Sequence, residues 1–181
     1  MVAVFALWED ILIPKNLLPE GMHYFIAGGW AACPALATDR DLFVQTTGDL
    51  NDTRAMLLDH MRAQGFDVTE EDEHRDFETS DGYSHIPIAK VGKVKQKFNK
   101  DIHVLVTSGD VENVLDTFDL SVSQVAITES GRIVKGTHYT DPTQPIYVVK
   151  DTPTTPAREE KYRRRFSFPV ALEVDGDDLN Y

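Results

Sequence analysis

Apolar positions recur at helical spacing in a few short segments of the chain. The most regular segment covers residues 51–65, where Leu57 and Met61 share one face, Asn51 or Asp52 can cap the start and Gly65 suits the end. Prolines limit the extension of several other helical segments. Further helices are predicted at residues 5–13, 30–36, 111–115 and 158–166.

Runs of β-branched and aromatic residues separate these helices and predict strands. The predicted strands cover residues 23–27, 39–44, 66–69, 84–91, 102–107, 133–138 and 146–149, and a further apolar segment covers 118–128. The strongly charged run 70–81 predicts a solvated loop or the tip of a hairpin. Together the segments predict an α/β (α+β) fold with a central mixed sheet flanked by helices and a C-terminal helix.

One domain can account for most of the chain, because 181 residues is an ordinary length for a single domain. We place this domain at residues 1–150. Residues 151–181 are expected to form an appendage. It would consist of a linker rich in proline and threonine at 151–156, the basic helix, and a frayed acidic tail at 175–181.

The formal net charge of −12 narrows the range of partners. Such a charge opposes coating of nucleic acid by the whole surface, but nucleic acid on a local basic patch, a protein or a small molecule stays possible. Cys33 is the only cysteine, which excludes an internal disulfide and a thiolate zinc cluster. The opening residues lack the basic leader of a signal peptide, and no apolar run reaches the length of a membrane helix. We therefore expect a cytoplasmic protein with no membrane partner.

Candidate chemistry is concentrated at the first two predicted strands. Gly28 and Gly29 close one strand, and Asp39 and Asp41 lie in the next one. Because side chains alternate along a strand, the two carboxylates project from one face about 7 Å apart. This arrangement suits hard cations such as Mg²⁺, which prefer oxygen ligands. The paired glycines let backbone N–H groups approach phosphates without a Cβ in the way.

This segment resembles the signature of the polymerase-β nucleotidyltransferase superfamily. There a hydrophobic strand ends at Gly-Gly or Gly-Ser, and the next strand carries Asp-x-Asp. The resemblance is strong over residues 23–45 and fainter as far as residue 127. It implies that residues 1–150 form a minimal nucleotidyltransferase domain.

The resemblance also implies a role for each residue of the signature. Asp39 and Asp41 would hold the catalytic metal ions, Mg²⁺ or Mn²⁺, while Gly28 and Gly29 would bind the nucleotide phosphates. A third catalytic carboxylate is expected on a later neighbouring strand, and Asp101 is the candidate for it.

Two features near the third carboxylate stay open at this point. His103 shares a strand face with Asp101 and is an alternative occupant of the metal-facing position. The segment from Phe118 to Ala126 is similar to the Arg-Asp-Phe-Thr-x-Asn-Ala motif of the tRNA CCA-adding branch, which implies that Asp119 is a nucleotide-binding residue. Phe118 stands where that motif has arginine, and the amide side chain of the motif is supplied by Gln124 at a shifted position. We therefore do not assign tRNA as the substrate.

The implied reaction moves a nucleoside monophosphate from a nucleoside triphosphate to an acceptor hydroxyl and releases pyrophosphate. The acceptor could be RNA, a protein or a small molecule. The alternative is a catalytically inactive nucleotidyltransferase-fold module with a binding, regulatory or structural role. The uncertain third carboxylate favours this alternative, whereas the presence of both Asp39 and Asp41 opposes it.

Two basic clusters have two interpretations each. Residues 90–100 contain no acid and five lysines: Lys90, Lys93, Lys95, Lys97 and Lys100. They could bind the phosphates of an acceptor, or they could protect an edge strand from pairing. Arg163, Arg164 and Arg165, beside Tyr162, could reach the nucleotide or an RNA acceptor, or could pair with the protein's own acids.

Overall fold

Eight strands form one mixed sheet in the computed structural model of the protein, which describes residues 13–166. In chain order they are β1 (Tyr24–Ala27), β2 (Asp39–Gln45), β3 (Val68–Glu70), β4 (His74–Glu78), β5 (His85–Val94), β6 (Asp101–Thr107), β7 (Val125–Thr128) and β8 (Ile133–Lys135). The sheet order is β3-β5-β6-β2-β1-β7-β8, and β4 also pairs with β5. β2 and β6 run parallel, whereas the other pairings in this sheet are antiparallel.

Four α-helices within residues 13–166 connect these strands or pack on them. They are α1 (Gly29–Ala32), α2 (Leu50–Ala63), α3 (Val111–Asp116) and α4 (Thr155–Phe166), and a 3-10 turn covers Ser121–Ser123. Aspartates cap two of the helices, since Asp49 accepts a hydrogen bond from the Asp52 N–H and Asp110 accepts one from the Asn113 N–H. Each cap satisfies a backbone donor that the first helical turn leaves without a partner.

Apolar side chains cover both faces of the central strands. On one face, Leu57 and Met61 of α2 pack against β2, β5 and β6. On the other face, Phe25 and Phe43 stack with their ring centroids 5.2 Å apart beside the apolar side of α3. Because side chains alternate along β2, Asp39 and Asp41 lie on the same face as Phe43, at the end of the strand where the side chains are only half-buried.

The structure confirms the predicted fold class, an α/β domain with a central mixed sheet and a C-terminal helix. Two local predictions were wrong. Residues 74–78, predicted as a loop or hairpin tip, form the regular strand β4. Residues 146–149, predicted as a strand, contribute only an isolated bridge between Val148 and Leu120. The predicted acidic tail and most of the predicted first helix lie outside the described residues.

Helix α4 begins inside the segment predicted as a linker and packs directly on the preceding part of the chain. Its Tyr162 and Phe166 form an apolar cluster with Leu120, Val122 and Ile146. Side chains before and after the proposed boundary at residue 150 therefore pack against each other. None of the helices within residues 13–166 combines the length and the apolar character needed to cross a bilayer.

Candidate active site

A cavity of about 910 Å³ opens on the sheet face that carries Asp39 and Asp41. Its volume is typical of sites that enclose a small molecule. Strands β2, β4, β5 and β6 contribute to its lining together with the start of α1, the segments 117–119 and 150–154, and α4. Five of the six residues expected in the site line this cavity: Gly28, Gly29, Asp39, Asp41 and Asp119.

The two glycines allow close approach at the point where β1 turns into α1. Gly28 has φ 80° and ψ −144°, a conformation that side chains rarely adopt, and a Cβ there would lie 3.7 Å from Asp41 Oδ2. At Gly29 a Cβ would lie only 2.9 Å from the Tyr162 hydroxyl and 3.3 Å from the Arg165 guanidinium. Glycine is therefore required by the backbone conformation at position 28 and by the close approach of α4 at position 29.

Asp39 and Asp41 occupy adjacent sites on the floor of the cavity because of the strand register. Asp41 lies opposite Ala27 on β1 and opposite His103 on β6, and Asp39 lies opposite Asp101. Both carboxylates are half-buried, and Lys93 Nζ lies 3.8 Å from Asp39 Oδ2. The two carboxylates thus share one face of the sheet, as the Asp-x-Asp spacing predicts.

His103 links Asp41 to a second acid. Its Nδ1 lies 3.4 Å from Asp41 Oδ1, and its Nε2 is hydrogen-bonded to the Glu71 carboxylate. Burial lowers the pKa of His103, but hydrogen bonds and the charges of Asp41 and Glu71 outweigh burial, so the pKa is raised above its ordinary value. A positively charged His103 would hold the Asp41 carboxylate in a fixed orientation.

Asp101 lies two positions before His103 on β6 and outside the cavity lining. Its Oδ1 accepts a hydrogen bond from the Gln96 N–H at 3.0 Å. On the opposite face, Arg40 is almost completely buried and donates to the Lys100 carbonyl at 2.8 Å. Burial lowers the pKa of Arg40, and the charge of Asp101 partly offsets this.

Asp119 is only 3% exposed and connects the cavity wall to α4. Its Oδ2 accepts a hydrogen bond from the Thr155 hydroxyl at 2.9 Å, and its Oδ1 lies 2.7 Å from Arg158 Nη1. Its carbonyl also accepts a hydrogen bond from the Val149 N–H. The residue predicted to lie near the nucleotide therefore also fixes the start of α4.

One face of α4 points into the cavity. Four of its residues line the cavity at the i, i+3, i+4, i+7 spacing of a single helical face: Arg158, Lys161, Tyr162 and Arg165. Arg165 donates to the Thr38 hydroxyl at 2.8 Å, whereas no contact is found for Lys161 within the part of the chain that the structure describes. Burial raises the pKa of the Tyr162 hydroxyl.

The other arginines of the basic cluster do not face the cavity. Arg163 and Arg164 form i,i+4 ion pairs with Glu159 and Glu160. Pairing with the protein's own acids therefore applies to Arg163 and Arg164, whereas Arg165 lines the cavity. Sequence reasoning missed Arg158 and Lys161, although their helical spacing with Arg165 was a usable signal.

The lysines of residues 90–100 have several different environments. Lys90 lines the cavity and pairs with Glu73 at 2.5 Å, and Lys93 faces Asp39. Lys95 and Lys97 are exposed on the turn between β5 and β6. Since β5 pairs with β6 on one side and with β3 and β4 on the other, it is not an edge strand, and protection of an edge does not explain these lysines.

The two carboxylates on the cavity floor fit Mg²⁺ or Mn²⁺ when other ligands complete the coordination shell. Mg²⁺ is commonly bound through one or two carboxylates and completes its shell with water and substrate phosphates. Asp39 and Asp41 supply two such carboxylates on one face. Within residues 13–166, no group of three or more His, Cys, Asp or Glu side chains is placed to hold a metal ion. A metal at this site would therefore need ligands from water or a nucleotide.

Comparison with solved structures identifies the fold. A CCA-adding enzyme from Thermotoga maritima, solved with tRNA, aligns with 92% of this chain at a TM-score of 0.56 and 17% sequence identity. A CCA-adding enzyme solved with ATP aligns with 93% of this chain at a TM-score of 0.56 and 16% identity. These enzymes are members of the polymerase-β nucleotidyltransferase superfamily. The resemblance predicted from the sequence is thus confirmed at the level of the fold.

The chain spans only about two fifths of these enzymes, 38% of one and 40% of the other. No protein-family model matches the chain, and no curated protein matches it significantly in sequence. The similarity of this chain to the CCA-adding enzymes is therefore a similarity of structure, and it shows the fold alone.

Proposed function

We propose that this protein is a metal-dependent nucleotidyltransferase. It would move a nucleoside monophosphate from a nucleoside triphosphate to an acceptor hydroxyl and release pyrophosphate. One observation carries the proposal: two half-buried carboxylates, a double glycine and a cationic helix face line the same cavity of a nucleotidyltransferase fold. Neighbours solved with ATP and with tRNA support a nucleoside triphosphate as the substrate and a nucleic acid as one possible acceptor.

We assign the carboxylates to metal binding and a backbone N–H group to phosphate binding. Asp39 and Asp41 would hold Mg²⁺ or Mn²⁺, which would lower the pKa of the acceptor hydroxyl and neutralise the reacting phosphate. The backbone N–H of Gly29 would bind the nucleotide phosphates. The predicted role does not extend to the Gly28 N–H, because this group donates a hydrogen bond to the Val125 carbonyl at 3.1 Å. Phosphoryl chemistry of this kind depends mainly on positioning and on electrostatic stabilisation.

The cationic face of α4 would add to this neutralisation from the opposite wall. Arg158, Lys161 and Arg165 bring positive charge toward a cavity whose floor is acidic. Arginine forks suit phosphate oxygens, and lysine acts on them as a point charge. Asp119 would keep Arg158 in place through their 2.7 Å contact. It would therefore contribute to nucleotide binding by fixing one of the cations.

Pyrophosphate release tests the proposal directly. With bulk RNA as the acceptor and Mg²⁺ present, the full chain should release pyrophosphate from at least one of the four ribonucleoside triphosphates, and EDTA should abolish the release. Asp39→Asn and Asp41→Asn should each abolish it while the fold stays intact. Asp59→Asn, an exposed substitution on α2, is the matched control and should release pyrophosphate at the normal rate. Retained activity in folded Asp41→Asn would refute the role of that carboxylate.

Two further variants test whether Asp101 or His103 occupies the position of the third carboxylate. We propose Asp101 as the third carboxylate, because it lies beside Asp39 in the ladder and on the same face. Asp101→Asn keeps an oxygen that can accept the hydrogen bond from Gln96, so a loss of turnover would reflect the lost charge. If Asp101→Asn is active and His103→Asn is inactive, the position belongs to His103 instead.

The second candidate function is nucleotide binding without turnover. It is favoured by the absence of a three-ligand metal group among residues 13–166 and by the hydrogen bond that engages Asp101 with Gln96. Metal-dependent ATP binding by a chain that releases no pyrophosphate with any acceptor would establish this function in place of transfer.

A further inference from the structure

The β5–β6 turn, residues 95–100, presents an aromatic ring and two lysines to solvent. Phe98 is 93% exposed, and Lys97 Nζ lies 5.5 Å from its ring centroid. Lys95 is exposed beside them. A phenylalanine this exposed is unusual among described residues of a chain that otherwise builds three apolar clusters, and Phe98 belongs to none of them.

The backbone of the β5–β6 turn is anchored from below. Asp101 accepts a hydrogen bond from the Gln96 N–H, and Arg40 donates to the Lys100 carbonyl. The Lys100 ammonium is also hydrogen-bonded to the Pro34 carbonyl. The Lys95 N–H also donates to the Asp67 carbonyl, so backbone groups hold the turn and the side chains of Phe98, Lys95 and Lys97 are free to contact a partner.

The turn lies next to the catalytic end of the sheet. Asp101 is three positions after Phe98 in the chain, a path of at most about 11 Å when extended. Asp101 is the direct ladder neighbour of Asp39, and adjacent strands lie about 4.8 Å apart. Anything bound on Phe98 can therefore extend to the metal-binding carboxylates within a few nucleotide lengths.

We propose that the β5–β6 turn binds the acceptor strand, and that this acceptor is a single-stranded nucleic acid whose terminal hydroxyl is the attacking group. A base would stack on Phe98, and Lys95 and Lys97 would contact the flanking phosphates. This deepens the proposed function and rests on it. The occupant follows from charge and shape, because an acid-free lysine run on a protein of net charge −12 suits a polyanion, and an exposed ring offers a stacking platform.

Binding of labelled oligonucleotides, measured by fluorescence anisotropy without metal or nucleotide, tests the turn separately from catalysis. Single-stranded RNA and DNA of the same mixed sequence serve as the two probes and distinguish a ribose-dependent site from a general one. Phe98→Ala should weaken binding about tenfold, since stacking on an aromatic side chain contributes an effect of this size per base. Phe98→Trp should restore it, because the ring is kept.

Matched controls separate the turn from the general surface. Tyr83→Ala removes another highly exposed aromatic, 89% exposed and distant in sequence, and should leave binding unchanged. Lys95→Ala should weaken binding, whereas Lys15→Ala, which removes one exposed charge elsewhere, should not.

Each outcome decides one of the two proposals. Equal binding by Phe98→Ala and the unaltered chain, or no binding of either probe, would overturn the assignment of the turn even if pyrophosphate is released with another acceptor. Phe98-dependent binding without pyrophosphate release from any nucleotide would overturn the proposed transferase activity while supporting the turn as a nucleic-acid site.

Discussion

At the scale of single residues, Gly29 is the most sensitive position of the site. A methyl group there would lie 2.9 Å from the Tyr162 hydroxyl, which is closer than real Cβ contacts, so the buried Tyr162 ring or α1 would have to shift. We expect Gly29→Ala to lower the free energy of unfolding by about 1–3 kcal/mol, the usual cost of an overpacked contact. Urea denaturation of the full chain measures this change.

A second substitution tests whether contact with the Tyr162 hydroxyl causes the loss of stability in Gly29→Ala. Tyr162→Phe removes the hydroxyl that the new methyl group meets, so Gly29→Ala/Tyr162→Phe should lose less stability than the two single effects combined. Gly48→Ala is the control, because a Cβ there would be in ordinary contact, 3.6 Å from Thr46 Oγ1. Additive losses in the double variant would show that the crowding lies elsewhere.

The contact between Asp119 and Arg158 supports a second residue-scale prediction. Asp119 is almost fully buried, so Arg158→Ala leaves a carboxylate with reduced compensation in a poorly solvated position. Arg158 is itself 41% exposed, and water will replace part of the lost contact. We expect a loss of about 1–3 kcal/mol in the free energy of unfolding.

The double variant Asp119→Asn/Arg158→Ala tests the explanation. Removing the negative charge should make Arg158→Ala less costly, and urea denaturation of the four members of the cycle measures the coupling. A cost of Arg158→Ala that is the same with Asp and with Asn at position 119 would contradict the ion pair as its cause.

At the scale of elements, α4 separates its charges by face. Lys161 lies on the cavity face without a partner among the described residues, whereas Arg164 pairs with Glu160 on the solvent side. Lys161→Ala should weaken Mg²⁺–ATP binding by up to about fivefold, the effect of one solvated charge, and Arg164→Ala should not change it. Titration calorimetry with ATP measures both, and equal losses would mean that only the net charge of the helix matters.

The elements also explain which predictions from the sequence succeeded. Helix α2 and strand β2 were predictable because their patterns are local, with apolar spacing in one and Asp-x-Asp running into Leu-Phe-Val in the other. Strand β4 was missed because all five of its residues are exposed, so it has no apolar alternation to detect. Its existence depends on pairing with β5, a contact that no local pattern encodes.

At the scale of the whole molecule, the fold brings together residues that are distant in sequence, and this decides how much of the site was predictable. Gly28, Gly29, Asp39 and Asp41 are neighbours in the chain, and their shared motif was readable. The Glu71 carboxylate on His103 and the cations of α4 enter the site from far along the sequence. Only the tertiary structure reveals these contributions, because each residue alone looks like a surface charge.

The distribution of charge over the molecule predicts how oligonucleotide binding depends on salt concentration. Two lysines on the β5–β6 turn would neutralise about two phosphates, and each phosphate contact on a single strand contributes about −0.7 to the slope of log K against log salt. We therefore expect a slope of about −1.4. Repulsion from the acidic remainder of the surface weakens as salt rises, which makes the slope shallower still.

Anisotropy titrations with the single-stranded RNA at several salt concentrations measure this slope. Lys95→Ala should reduce its magnitude by about 0.7, because one phosphate contact is lost, and Lys15→Ala should leave it unchanged. A slope of about −3 or steeper would require four or more phosphate contacts. Since the turn supplies two exposed lysines, such a slope would place the nucleic acid across a larger surface, including the cations of α4, and would contradict binding confined to the turn.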